Sequence, residues 1–93
     1  MEDVITPDSI VKQGKRAVYR DLKEGGVVLH LDTAAYYRVN ATGRMLWSLL
    51  KERSVGEVVE EFRGHFEDPP PSVEGDVLEF LGSLEERDLI EVS

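Results

Sequence analysis

The chain has 93 residues, room for one small domain with a single modest core. Its 19 acidic residues against 11 basic ones give a formal charge of −8, which works against nucleic acid, because phosphate neutralisation supplies most of such affinity. The same charge favours a basic partner such as a Lys-rich peptide, and the absence of cysteine removes disulfides, thiolate nucleophiles and thiolate metal ligands.

Met1–Asp8 is short and polar and is expected to fray. Met1–Ser9 is acidic, contains Pro7 and lacks an apolar core, so it does not read as a signal peptide. No apolar run reaches the roughly 20 residues that cross a bilayer. The expectation is one soluble, cytoplasmic domain over residues 1–93, with no membrane partner.

Ser9–Gln13, carrying Ile10 and Val11, reads as a first strand, and Ala17–Arg20 can continue in extended form beyond Gly14–Lys15–Arg16. Asp21–Gly26 is a loop or hairpin connection whose glycines permit positive φ. Val27–Leu31 is a β-branched and aliphatic strand, Asp32–Ala34 a short turn, and Ala35–Val39 a second strand-like run. These pieces predict a three-stranded meander. Strand parity predicts Leu29, Leu31, Tyr37 and Val39 pointing inward, with Val28, His30, Tyr36 and Arg38 in water.

Asn40 stands where a helix N-cap belongs, ahead of a helix over Ala41–Glu52 with Leu46, Trp47, Leu49 and Leu50 on its apolar face. Ser54 and Glu57 have capping-box spacing at the head of a second helix, where Val55, Val58, Val59, Phe62 and Phe66 recur at helical intervals. That helix is expected to end near Arg63 or His65, and Asp68–Pro71 cannot continue it. Ser72 is expected to cap a third helix over Val73–Arg87, with Val73, Val77, Phe80, Leu81 and Leu84 as its stripe. Leu89–Val92 is a short terminal strand. The layout is α+β, with helices covering one face of a small three-stranded antiparallel sheet.

Catalytic patterns are missing from the sequence. His30 and His65 form no ligand pair and read as solvated side chains, so no metal site is expected. There is no G-x-S-x-G, and Gly25–Gly26 is not a phosphate loop. Glu57, Glu60, Glu61, Glu85 and Glu86 read as solvated helix faces. The chain reads as a protein with neither enzyme activity nor cofactor. The sharper signal is Ala35–Asn40, which as an open sheet edge beside the third helix would present unpaired N–H and C=O groups to an extended peptide. Four or five such bonds at about 0.5–1.5 kcal/mol each do not offset the ordering of a flexible peptide, so apolar anchors must supply the rest.

The run from Val28 to Leu50, V-L-x-L-D-x-x-x-x-Y-Y-R-V-N-A-T-G-x-x-L-W-x-L-L, resembles the PqqD-like family. Its members are precursor-peptide recognition elements of ribosomally made natural products. The resemblance continues through Ser54–Phe62 and Val73–Leu84 and departs at Asp88–Leu89–Ile90, where the family commonly has Gly–Leu. The YYRVNATGRMLW wording is most similar to the free-standing recognition proteins of lasso-peptide clusters.

The resemblance implies a winged-helix-like fold and a leader peptide lying against Ala35, Tyr36, Tyr37, Arg38 and Val39, facing Val73, Asp76, Val77, Phe80 and Leu84, with Glu74 and Glu79 as further acidic contacts. It also implies the precursor peptide, a separate leader peptidase and a ring-closing cyclase as partners. An alternative within the family is presentation of a quinone-cofactor precursor to a radical enzyme. A winged-helix DNA-binding module is disfavoured, because the third helix holds many carboxylates and only one basic residue.

Overall fold

The computed structural model describes residues 5–93. In chain order its elements are β1 (Ile10–Gln13), β2 (Ala17–Leu22), β3 (Gly25–His30), β4 (Tyr36–Val39), α1 (Ala41–Ser48), β5 (Lys51–Ser54), α2 (Val55–Arg63), α3 (Val73–Glu86) and β6 (Ile90–Val92). The fold is α+β as expected, and two three-stranded antiparallel sheets replace the single meander: β2-β3-β4 and β5-β1-β6.

Residues 5–8 are held in place. Ser9 N–H bonds Thr6 O, and Gly56 N–H bonds Pro7 O at 3.0 Å, tying this stretch to the start of α2. The remainder of the segment expected to fray lies outside the described residues.

The second sheet corrects the first-helix boundary. α1 stops at Ser48, four residues before the expected Glu52. Its last turn tightens through Leu49 N–H to Leu46 O and Leu50 N–H to Trp47 O, and Glu52 then takes a positive φ of 60°. The Gln13 backbone N–H bonds Leu50 O at 3.0 Å, and the Gln13 side-chain amide bonds Trp47 O at 2.9 Å. β1 thus supplies a donor to the Leu50 carbonyl just past the helix and a second donor to that of Trp47 in its last turn. Lys51–Ser54 has no strand-like composition; it is extended because it pairs with β1, whose other edge is taken by β6.

Parity on β3 is also corrected. Val28 and His30 are buried, whereas Leu29 and Leu31 are exposed. Register couples the two strands: Val28 stands opposite Tyr37 and Leu29 opposite Tyr36, so an inward Tyr37 requires an inward Val28. His30 tolerates burial because its Nδ1 accepts from the N–H groups of Asp32 (3.1 Å) and Thr33 (3.3 Å). That nitrogen therefore carries no proton, and Nε2 faces Asp88 Oδ2 at 3.4 Å. β4 follows the expected parity, with Tyr37 and Val39 inward and Tyr36 and Arg38 outward. His65 is exposed, as expected.

The core joins both sheets to all three helices through Val11, Val28, Leu46, Trp47, Leu50, Val58, Phe62, Val77, Leu81, Leu84 and Leu89. The capping box on α2 is complete: Ser54 Oγ accepts from Glu57 N–H, and Glu57 accepts from Ser54 N–H. Ser72 at the head of α3 bonds the Asp76 carboxylate instead of a backbone N–H, a correction to its expected cap. At the other end of α3, Asp88 N–H bonds Glu85 O and Leu89 N–H bonds Leu84 O, a complete Schellman pair, with Asp88 at φ 59°. This left-handed position explains why glycine suits it, and the aspartate departure leaves the turn intact. Asp88→Gly is expected to raise stability by roughly 1 kcal/mol, measured as an increased Tm, because its exposed contact with His30 contributes less than the relieved backbone.

Candidate functional site

β4 is the last strand of its sheet, and no strand among the described residues pairs with its outer side. The bond from His30 N–H to Ala35 O (2.8 Å) sets the phase of the β3–β4 ladder. Antiparallel pairs alternate between bonded and non-bonded, so residues 35, 37 and 39 turn their backbone groups to β3. Tyr36 and Arg38 turn theirs to the open edge. Four backbone groups, an N–H and a C=O from each residue, are thus available to an added strand.

Beside this edge lies a groove of about 660 Å³ between β4 and α3. Tyr37, Val39, Val73 and Phe80 line it, together with Gly43 and Leu46 from α1, Phe62 and Phe66 from α2 and its continuation, and Pro70. Asp76 and Glu79 stand on the α3 lip, and Arg38 lies on the β4 lip. The wall is built from locked aromatics. Tyr37 meets Phe80 edge to face at 6.0 Å between centroids, and the Arg87 guanidinium sits 4.9 Å above the Tyr37 ring while donating to Ser83 O. Phe62 and Phe66 pack edge to face at 5.1 Å.

The N-A-T-G stretch makes the junction beneath the groove. Asn40 leaves β4 in extended conformation, and its Oδ1 accepts from Gly43 N–H at 2.8 Å, starting α1 at once. A Cβ on Gly43 would lie 2.9 Å from Val39 Cβ and 3.3 Å from the Phe80 ring. Glycine there lets strand, helix and groove wall approach closely. Gly25, at φ +135°, has the same role from the other side: a Cβ would strike the Val39 carbonyl and the Asn40 backbone.

The turn feeding β4 is pinned by Arg16, which forms a bidentate pair with Asp32 (2.8 Å at the closest). Its hydrogen bond to Asp32 holds that carboxyl below its ordinary pKa. A depressed carboxyl contributes stability above its unfolded pKa, and that contribution disappears as pH falls through the folded value.

The ten residues expected at the site separate into three groups. Tyr37, Arg38, Val39, Val73, Asp76 and Phe80 meet around the groove. Val77 and Leu84 are fully buried in the core and support the groove from below without reaching its surface. Ala35 precedes β4 and bonds His30, while Tyr36 is 59% exposed on the outer face. Glu79 lines the groove; Glu74 is exposed outside it. Phe66 and Pro70 were not foreseen as site residues. In sequence Phe66 belongs to the α2 stripe, and the proline run reads only as a segment that cannot be helical. Their place over the groove depends on the chain folding back between α2 and α3. Among the described residues, no three His, Asp or Glu side chains converge on a possible metal position.

An unpaired edge strand beside an aromatic-walled groove, on a small α+β domain, is thus the site's architecture. A family model described as coenzyme PQQ synthesis protein D (PqqD) matches residues 25–90, well over half of the chain. The chain belongs to the PqqD family.

Among solved structures, one described as "TbiB1 in Complex with the TbiA(beta) Leader Peptide" is 32% identical, with TM-score 0.73, covering 86% of this chain and 94% of that one. A second, "Lasso peptide synthetase B1 complexed with the leader peptide", is 18% identical with TM-score 0.71, covering 87% and 96%. A third is the PqqD truncation of Methylobacterium extorquens PqqCD, a stand-alone recognition element, 15% identical with TM-score 0.69 and 88% coverage of both chains. The latter two show the shared fold. No curated protein matches.

Gly43→Val is expected to destabilise the domain by about 1–3 kcal/mol, because the added carbons overpack Val39 and Phe80. Urea denaturation followed by Trp47 fluorescence measures this directly.

Proposed function

We propose that this protein is a non-catalytic recognition element that binds the leader of a ribosomally made precursor peptide by adding it as a strand to β4. The observation that carries this reading is the coincidence of two features. The backbone groups of Tyr36 and Arg38 face an open edge, and an aromatic groove lies directly beneath that edge. Main-chain bonds would hold the extended peptide, and side chains resting in the groove against Tyr37 and Phe80 would supply the apolar anchorage. Asp76 and Glu79 on the far lip favour basic residues on the groove side of the ligand.

Similarity at 32% identity to TbiB1, whose structure contains a leader peptide, supports leader binding, and the YYRVNATGRMLW resemblance favours the lasso-peptide branch over the quinone-cofactor branch. In that branch the domain would hold the leader for a separate leader peptidase ahead of a ring-closing cyclase. Holding leader and peptidase together raises the local substrate concentration and makes cleavage effectively intramolecular.

The test is an isothermal titration with a synthetic leader-type peptide carrying Tyr, Pro and Leu anchors. Micromolar or tighter binding, lost when the peptide's Leu becomes Ala, is the expected result; no heat with such peptides excludes the lasso branch. Phe80→Ala should weaken binding about tenfold or more with the circular-dichroism spectrum unchanged, because an anchoring wall is removed. Tyr36→Ala, whose ring stands on the other face, should shift affinity by less than about threefold. Equal effects of the two substitutions would exclude the groove.

A further inference from the structure

The outer face of the β2-β3-β4 sheet has a charge pattern opposite to that of the whole chain. Register aligns Val18, Leu29 and Tyr36 in one cross-strand row and Arg20, Val27 and Arg38 in the next, all on the side away from the core. Neither row contains a carboxylate, in a chain with 19 of them. Arg16, Arg44, Arg53, Arg63 and Arg87 each pair with a carboxylate. Arg20 and Arg38 have no such partner among the described residues, and they share one row. Two uncompensated guanidiniums two strands apart reinforce each other's potential, and Arg38 is the one at the open edge.

A strand added to β4 bonds through the backbone of Tyr36 and Arg38. The peptide residue directly opposite Arg38 then carries its side chain on the outer face, beside the guanidinium, whichever way the peptide runs. Its neighbour in the peptide points the other way, into the groove opposite Tyr37. On the groove side, Asp76 and Glu79 repel a carboxylate. We propose that Arg38 is a specificity residue that selects Asp or Glu at the outward position next to the groove anchor, so that the ligand carries its acid on one face and its apolar anchor on the other. This inference rests on the strand-addition reading above.

The test scans a leader-type peptide with Tyr, Pro and Leu anchors, placing a single Glu or a single Lys at successive strand positions and measuring Kd for each. With the unaltered domain, one position should prefer Glu over Lys by about threefold to tenfold. Arg38→Glu should reverse the preference at that position alone, and Arg38→Gln should abolish it. Whether the position precedes or follows the groove anchor then reports the peptide's direction. Binding with equal Kd for Glu and Lys throughout, or an Arg38→Glu shift spread evenly over all positions, overturns the inference and leaves strand addition standing. Failure of every peptide to bind excludes the lasso-type leader on which the inference rests, and overturns the inference with it.

Discussion

The close approach at Gly43 governs the architecture around the groove. β4 must end, turn and become α1 within one residue while α3 packs across the junction. The Asn40 side chain makes this possible by accepting the Gly43 N–H at 2.8 Å, and the missing Cβ lets Val39 and the Phe80 ring each close against the helix at Gly43. The consequences extend outward from that point. Phe80 is placed to contact Tyr37, Tyr37 is held under Arg87, and the open edge of β4 lies beside an aromatic wall.

The edge and the wall have different physical tasks. In the proposed strand addition, four outward backbone groups would give an extended chain orientation and register but little side-chain discrimination. The groove, lined by Phe66, Pro70, Val73 and Phe80, would remove apolar area from water and supply the free energy that main-chain bonds lack once ordering is counted. Buried residues such as Val77 and Leu84 act only by fixing the helix that carries Phe80. They belong to the fold more than to the site, although the sequence stripe presents them alongside Phe80 without distinction.

Local signals were legible in the sequence where local chemistry decides the conformation. Asn40 and the Ser54–Glu57 box each mark a helix start that the structure keeps, and α2 ends at Arg63, ahead of the proline run. Tertiary contacts decided the rest. Lys51–Ser54 is a strand only because β1 needs a partner, and nothing in those polar residues announces it. The parity of β3 is not legible, because a histidine signals water in sequence, whereas two backbone N–H groups satisfy the Nδ1 of His30 inside the protein. The strand carrying the candidate site was legible through Tyr37 and Val39; the opposite wall at Phe66 and Pro70 was not, because it forms by a return of the chain.

The most direct measurement is residue-resolved amide hydrogen exchange on the free domain and on the domain saturated with a leader-type peptide. Strand addition predicts that the Tyr36 and Arg38 amides exchange fast when free and become protected on binding, while Tyr37 and Val39, already bonded to β3, are protected in both states. Binding that leaves the Tyr36 and Arg38 amides as fast as before would contradict it, and would place the peptide somewhere other than the edge of β4.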